Sequence, residues 1–314
     1  MSKSTVRYIL QRLAISLVTL FVILVVLFCM VRFLPGSPIN NEHLSEAQRA
    51  AIEASYGLNL PLPQQFVKYV GGMLTGDFGV SMNLYKDMQV SSLVGTAAPI
   101  SFFLGLCACV LGAIVGIFLG VVAALNKNTI WDTLTTVLSV IGVSIPSFVF
   151  AMLILIIFGS NLHILPTMYS SAQPIYSAIM PIIALSMSVI ANVARFTRTE
   201  MISVLNSDYI MLAKAKGLSR KDIIFKHALR NTLIPIITIL GPILVNLMTG
   251  TMVVEKVCSV PGLGKLLINS IQASDYNVIL ACAFLYAAMY ILMMLVIDVS
   301  YGIIDPRIRL GKDE

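Results

Sequence analysis

Several uninterrupted apolar runs constrain this chain more than any other feature, each close to the roughly 20 residues a helix needs to cross a bilayer core about 30 Å thick. Hydrocarbon offers no water to a backbone amide, so each run must satisfy its own N–H and C=O groups and is expected to be helical. The fold class read from this is all-α, a polytopic integral membrane protein with about six transmembrane helices. The expected spans are 14–33, 100–125, 134–158, 179–194, 233–254 and 278–299. Composition agrees: 58% of the residues are hydrophobic and 11% charged, against roughly 45–50% and 25% in soluble domains. The run after Lys3, Arg7 and Arg12 is too long for the core of a signal peptide and has no A-x-A site behind it, so it reads as a retained first span.

Basic residues set the expected orientation. With the N-terminus in the cytoplasm, the inner segments hold fifteen of the 21 Lys and Arg residues, among them Lys127, Arg307, Arg309 and Lys312. The positive-inside rule then places both termini in the cytoplasm. These charges flank spans and do not gather on a soluble domain with interleaved aromatics, which excludes a nucleic-acid partner. The chain divides into an N-terminal segment with the first span (1–33), a long extracytoplasmic loop (34–99) and a transmembrane core (100–314). Within the loop, Ser45 with Gln48 should begin a helix ending near Gly57. Pro63 should open another, running through Phe66 and Val70 to Gly71 and Gly72.

The core is interrupted at 195–235 by a polar stretch with eight basic residues and three acids. One such residue at a bilayer centre costs roughly 2.5–3.5 kcal/mol, so the stretch is expected in water, on the cytoplasmic side. Its punctuation predicts two short helices. Ser207 or Asp208 caps the first, Gly217 ends it in a left-handed conformation, and Ser219 with Asp222 starts the second as a capping box. The pattern is that of a docking element.

Two spans carry polar or bending residues. Pro146 lies in the third, where a mid-span proline kinks a helix, and Ser144 and Ser147 flank it. Pro235 and Pro242 lie in or beside the fifth, followed by Asn246, Thr249 and Thr251. A translocation path along Ser144, Pro146, Ser147, Asn192, Pro242, Asn246 and Thr249 is expected. In the second span, Ala108, Gly112, Gly116, Gly120 and Ala124 form a stripe that lets another helix approach closely. Its partner is either this chain's own bundle or a second subunit.

Residues for catalysis and for metal are missing. The three histidines are dispersed, no H-E-x-x-H pair exists, and Gly142–Pro146 begins like a nucleophile elbow without its last glycine. The run Pro261–Leu266 ends in Gly-Lys but lacks the upstream glycine and the Ser/Thr of a phosphate loop. The five cysteines read as small hydrophobes. Asp298 is the one acid seen inside an apolar run, at its cytoplasmic end, where it is an interface residue or a partner for Arg307 or Arg309. Without the buried charges of an ion-coupled transporter, a path of this kind needs energy from another protein.

Several blocks then resemble the permease subunits of binding-protein-dependent ABC importers, in the oligopeptide/dipeptide/nickel branch and closest to its oligopeptide "B" permeases. The central stretch is similar to the EAA loop: Asp208-Tyr209, Ala213 to Ser219, His227 to Asn231, and Ile234-Pro235. Other blocks are Tyr8 to Leu13, Pro35 to Pro38, Gly76 to Gly79, Ser144 to Phe148, Val260 to Gly264, Asp275-Tyr276 and Asp305 to Arg309, so the resemblance spans almost the whole chain. Met211 stands where the general pattern has Glu, and no contact is carried over to it.

The resemblance implies a type I ABC importer permease fold in a bacterial or archaeal cytoplasmic membrane. It implies a non-catalytic subunit that binds no cofactor itself. The ATPase-coupling residues would be Asp208, Tyr209, Ala213, Lys214, Ala215, Lys216, Gly217, Leu218 and Ser219. The implied partners are a homologous second permease, two ATPase subunits that bind ATP and Mg, and an extracytoplasmic binding protein that delivers peptide. Import of nickel, another metal chelate or glutathione by the same machinery is the alternative, and an ion-coupled secondary transporter a more distant one.

Overall fold

The computed structural model describes residues 3–33, 47, 54, 57 and 59–304. Its elements are α1 (Lys3–Phe33), α2 (Leu62–Thr75), α3 (Val90–Leu125), α4 (Ile130–Ser144), α5 (Ser147–Ile154), α6 (Pro174–Leu205), α7 (Asp208–Ala215), α8 (Leu229–Val257), α9 (Leu263–Gln272) and α10 (Tyr276–Ile304). Among the described residues, β structure amounts to one isolated bridge between Val80 and Gln89. Five helical stretches are long and apolar enough to cross a membrane, and α4 with α5 makes a sixth if the bent pair is one span.

Each expected span has its helix, with three corrections. The helices of the second and fourth spans run well beyond their apolar cores, α3 starting at Val90 and α6 continuing through Arg195, Arg198 and Glu200 to Leu205. The first part of the 195–235 stretch is therefore the end of a long helix. The third span is broken and not merely kinked. α4 stops at Ser144, α5 starts at Ser147, and the two are bent by 103°. The clash between a proline ring and its predecessor drives Ile145 to an extended conformation, φ −88°, ψ 124°. Pro146 then opens α5, accepting the Val149 and Phe150 N–H groups. A π-helical segment, Leu155–Asn161, continues α5.

The chain forms two compact units. The larger in contacts, residues 102–260, is built around α6, which packs against α4, α5 and α8. The small-residue stripe of α3 also faces α6, within this chain. A Cβ built at Gly112 would lie 2.4 Å from Val189 Cβ, one at Gly116 2.8 Å from Val193 Cβ, and one at Gly120 2.5 Å from Thr197 Cβ. Since no side chain fits there, Gly112→Ala and Gly120→Ala should each cost about 1–3 kcal/mol through overpacking. The check is the Tm of the purified protein. Gly95→Ala, where a Cβ meets nothing within 4 Å, should leave it unchanged.

The second unit, residues 1–101 and 261–314, packs α1 against α10, α2 against α1, and α9 against α10. Pro63 lies in the first turn of α2, as expected, but the helix runs past Gly71 and Gly72 to Thr75, and Gly76 ends it at φ +77°. Phe28 of α1 meets Phe66 of α2 edge-on and Tyr69 at a tilt. The segment after α2 is held to the start of α10 by Asp275, which is fully buried. Its carboxylate accepts from Ser81 Oγ at 2.5 Å and from the Asn83 and Leu84 N–H groups at 3.0 Å each. The Ser45–Gln48 start, the Pro35–Pro38 block, the side chains of Thr249 and Asp298, and Arg307 and Arg309 lie outside the described residues.

Candidate functional site

The site is assembled from the end of α6 onward. Asn206 and Ser207 close α6, and Ser207 occupies the N-cap position of α7. Its hydroxyl turns back to donate to Val204 O at 2.6 Å, so it does not cap α7 as the sequence predicts. Asp208 in the first turn of α7 and Lys214 in the last complement the helix dipole.

The C-terminus of α7 is a Schellman motif. The Gly217 N–H donates to Lys214 O at 3.0 Å and the Leu218 N–H to Ala213 O at 3.3 Å. That geometry needs a left-handed residue, and Gly217 has φ +77°. The next helical segment starts with Ser219 as its N-cap, which is half of the expected capping box. Ser219 Oγ accepts from the Asp222 N–H at 3.1 Å and donates to the Asp222 carboxylate at 2.6 Å. The Asp222–Lys226 ion pair beside it is exposed and contributes little. A π-helical stretch, Ile223–Ala228, leads straight into α8, so the second of the two expected short helices is not separate but the start of the helix that enters the fifth span.

α7 has two faces. Ile210 and Ala213, one turn apart, are buried in a core with Ala124, Met201, Ile223, Ile224 and Ala228. The cluster fastens the short helix to the ends of α3 and α6 and to the segment entering α8. Tyr209 OH also accepts from Asn231 Nδ2 at 3.1 Å, a second tie to α8. Tyr209, Met211, Leu212 and, beyond the turn, Phe225 are exposed. Lys214, Lys216, Arg220 and Lys221 are exposed around them. Exposed apolar side chains with cations among them, on an anchored helix, can meet a partner surface that offers apolar and acidic groups.

The expected path residues fall on neighbouring elements. Ser144 and Pro146 are exposed at the break, Ser147 opens α5, and α5 packs against both α6 and α8. Asn192 lies on α6 and donates to Ser188 O of the same helix at 2.8 Å, while Pro242 and Asn246 are exposed on α8. A separate cavity of about 460 Å³ in the other unit is lined by Phe28, Arg32, Lys68, Tyr69, Asp77 and Asn277 and includes none of these residues.

One charged pair is not legible from local sequence patterns. Asp132, in the first turn of α4, is buried and forms a bidentate ion pair with Arg198 of α6 through Nε and Nη2. Asp132 sits just outside the third apolar run and Arg198 just after the fourth. Opposite charges at the same membrane boundary were the available signal.

Residues 116–310 match the family described as binding-protein-dependent transport system inner membrane component, and residues 5–85 match the corresponding N-terminal membrane component model. The dipeptide transport system permease protein DppB of Lactococcus lactis subsp. cremoris is 44% identical over 305 residues, covering 97% of this chain and 100% of that protein. DppB of Bacillus subtilis is 40% identical, covering 98% and 99%. The oligopeptide transport system permease protein OppB of Haemophilus influenzae is 41% identical, covering 96% and 99%. Among solved structures, the crystal structure of an amino acid ABC transporter with histidines aligns at a TM-score of 0.53 with 14% identity, covering 68% of this chain and 94% of that one. At that identity the likeness concerns the fold alone.

Proposed function

The chain belongs to the family of binding-protein-dependent transport system inner membrane components, and from that membership we propose that it forms half of the translocation path of an ATP-driven peptide importer. It is a multi-pass, non-catalytic inner-membrane permease subunit of an ABC transporter. The cargo is peptide, as the names of both the dipeptide and the oligopeptide relatives indicate. In this reading a homologous second permease completes the path, two ATPase subunits bind ATP and Mg, and an extracytoplasmic binding protein delivers the peptide. Both termini are cytoplasmic, so residues 34–99 face outward and 195–235 face the ATPases.

The observation that carries the reading is α7, a short helix with a fixed end, a buried inner face and an exposed apolar outer face. Asp208, Tyr209 and Ala213 to Ser219 are the coupling residues, with the outer side of α7 seated on an ATPase. ATP binding then shifts the permease towards the outward-open state only as far as the two states differ in contact energy. The movement reaches α8 through Tyr209, Asn231 and the shared core, and α8 with α5 and α6 flanks the path near Ser147, Asn192, Pro242 and Asn246.

The test uses the complete complex in proteoliposomes with its binding protein and a labelled tripeptide. The tripeptide should accumulate only when both ATP and the binding protein are present. Uptake that persists without ATP and collapses with an uncoupler would contradict the assignment. Uptake of a nickel chelate without tripeptide would move the cargo to metal.

A further inference from the structure

We propose that the Asp132–Arg198 pair positions α4 on the corner formed by α6 and α7, so that movement of α7 reaches the helix ending at the Pro146 break. The inference rests on the coupling role given to α7 above. Asp132 is 5% exposed. Its carboxylate accepts from Arg198 Nε, from Arg198 Nη2 at 2.8 Å and from the Asn128 N–H at 2.9 Å. A bidentate guanidinium–carboxylate pair fixes direction as well as distance.

The buried face of α4 shows why direction matters. It consists of Asp132, Thr135, Ser139 and Gly142. Thr135 donates to Trp131 O at 2.9 Å and Ser139 to Thr135 O at 2.8 Å, both within α4 itself. Gly142 lets the helix approach α6 closely, with a built Cβ 2.8 Å from Ala191 Cβ. The large side chains of α4, including Ile130, Trp131 and Leu134, point outward and are exposed. A face of small residues has no interlocking knob to stop it sliding along or turning on α6. The ion pair supplies that constraint at one end, and the close contact at Gly142 acts as a pivot at the other.

The near end is tied to the coupling element. Arg198 lies one helical turn before Met201, whose side chain is in the core with Ile210 and Ala213 of α7. The turn joining α3 to α4 is also fixed. Thr129 N–H and Oγ1 both donate to Asn126 O, at 3.1 and 2.6 Å, and Asn126 Nδ2 donates to Val122 O at 2.8 Å. The ends of α3 and α6, the start of α4, and α7 are thereby linked, and α4 swings with them.

The experiment measures peptide taken up per ATP hydrolysed by the reconstituted complex with its binding protein. D132N, which keeps the shape, and R198K, which keeps the charge but loses the fork, should assemble normally. Both should lower that ratio at least tenfold with ATP hydrolysis retained, and the D132R/R198D exchange should recover part of it. An unchanged ratio in both variants, loss of uptake and hydrolysis in equal proportion, or failure of both to assemble overturns the proposal. Gly217→Pro is run in parallel. If it couples normally, the role of α7 fails; if it uncouples while D132N and R198K do not, only the role of the pair fails.

Discussion

Gly217→Pro is expected to lower ATP-driven peptide uptake at least tenfold while the chain still inserts into the membrane. Proline holds φ near −65° and has no N–H, whereas Gly217 sits at φ +77° and its N–H bonds to Lys214 O. The substitution removes both the dihedral and one of the two hydrogen bonds that end α7. A built Cβ at this position meets nothing within 4 Å, so the effect is one of backbone conformation and not of crowding. This gives a graded series. Gly217→Asn, which tolerates the left-handed region, should keep most uptake, and Gly217→Ala, at about 1–2 kcal/mol of strain, should fall between. Uptake by proteoliposomes containing each variant tests the order, and equal activity across the series would remove Gly217 from the mechanism.

Ile210→Asp should have the largest effect on the structure of the site. Ile210 is fully buried, and a carboxylate there has no cation among the residues of its core, which are Ala124, Met201, Ala213, Ile223, Ile224 and Ala228. Burying an unpaired charge belongs to the mutation class that costs about 4–5 kcal/mol. An eight-residue helix is too short to persist without its packing. α7 is expected to detach while the apolar spans remain inserted. The check is limited proteolysis, which should cut near residue 210 in the variant and not in the parent, together with loss of the ATPase subunits on co-purification. Met211→Asp, one residue on and exposed, should leave the proteolysis pattern unchanged.

Local rules carried the sequence reading furthest. The apolar runs, the left-handed Gly217 and the Ser219 N-cap each depend on a few adjacent residues, and each is seen in the structure. The errors arose where a longer-range term decided. Arg195 and Arg198 open the polar stretch in the sequence, but charge alone does not end a helix once it leaves hydrocarbon, and α6 continues to Leu205. Ser207 has an N-cap sequence position, yet its hydroxyl is taken by Val204 O. At Pro146 the rule identified the site of the disturbance but not its size, because a 103° bend depends on what each half packs against. Asp132 with Arg198 and Asp275 with Ser81 are far apart in sequence, and no periodicity connects them. In the candidate site, the punctuation of residues 207–222 is legible as a local pattern. The core beneath it and the pair beside it are not.

The most direct test of the account places a photoreactive residue at Met211, which is 63% exposed on the outer face of α7, in the assembled transporter. The expected result is an ATP-sensitive cross-link to an ATPase subunit, with none from the same residue placed at Tyr85 in the segment assigned to the external side. A cross-link from Tyr85 and none from Met211 would contradict both the orientation and the coupling role of α7.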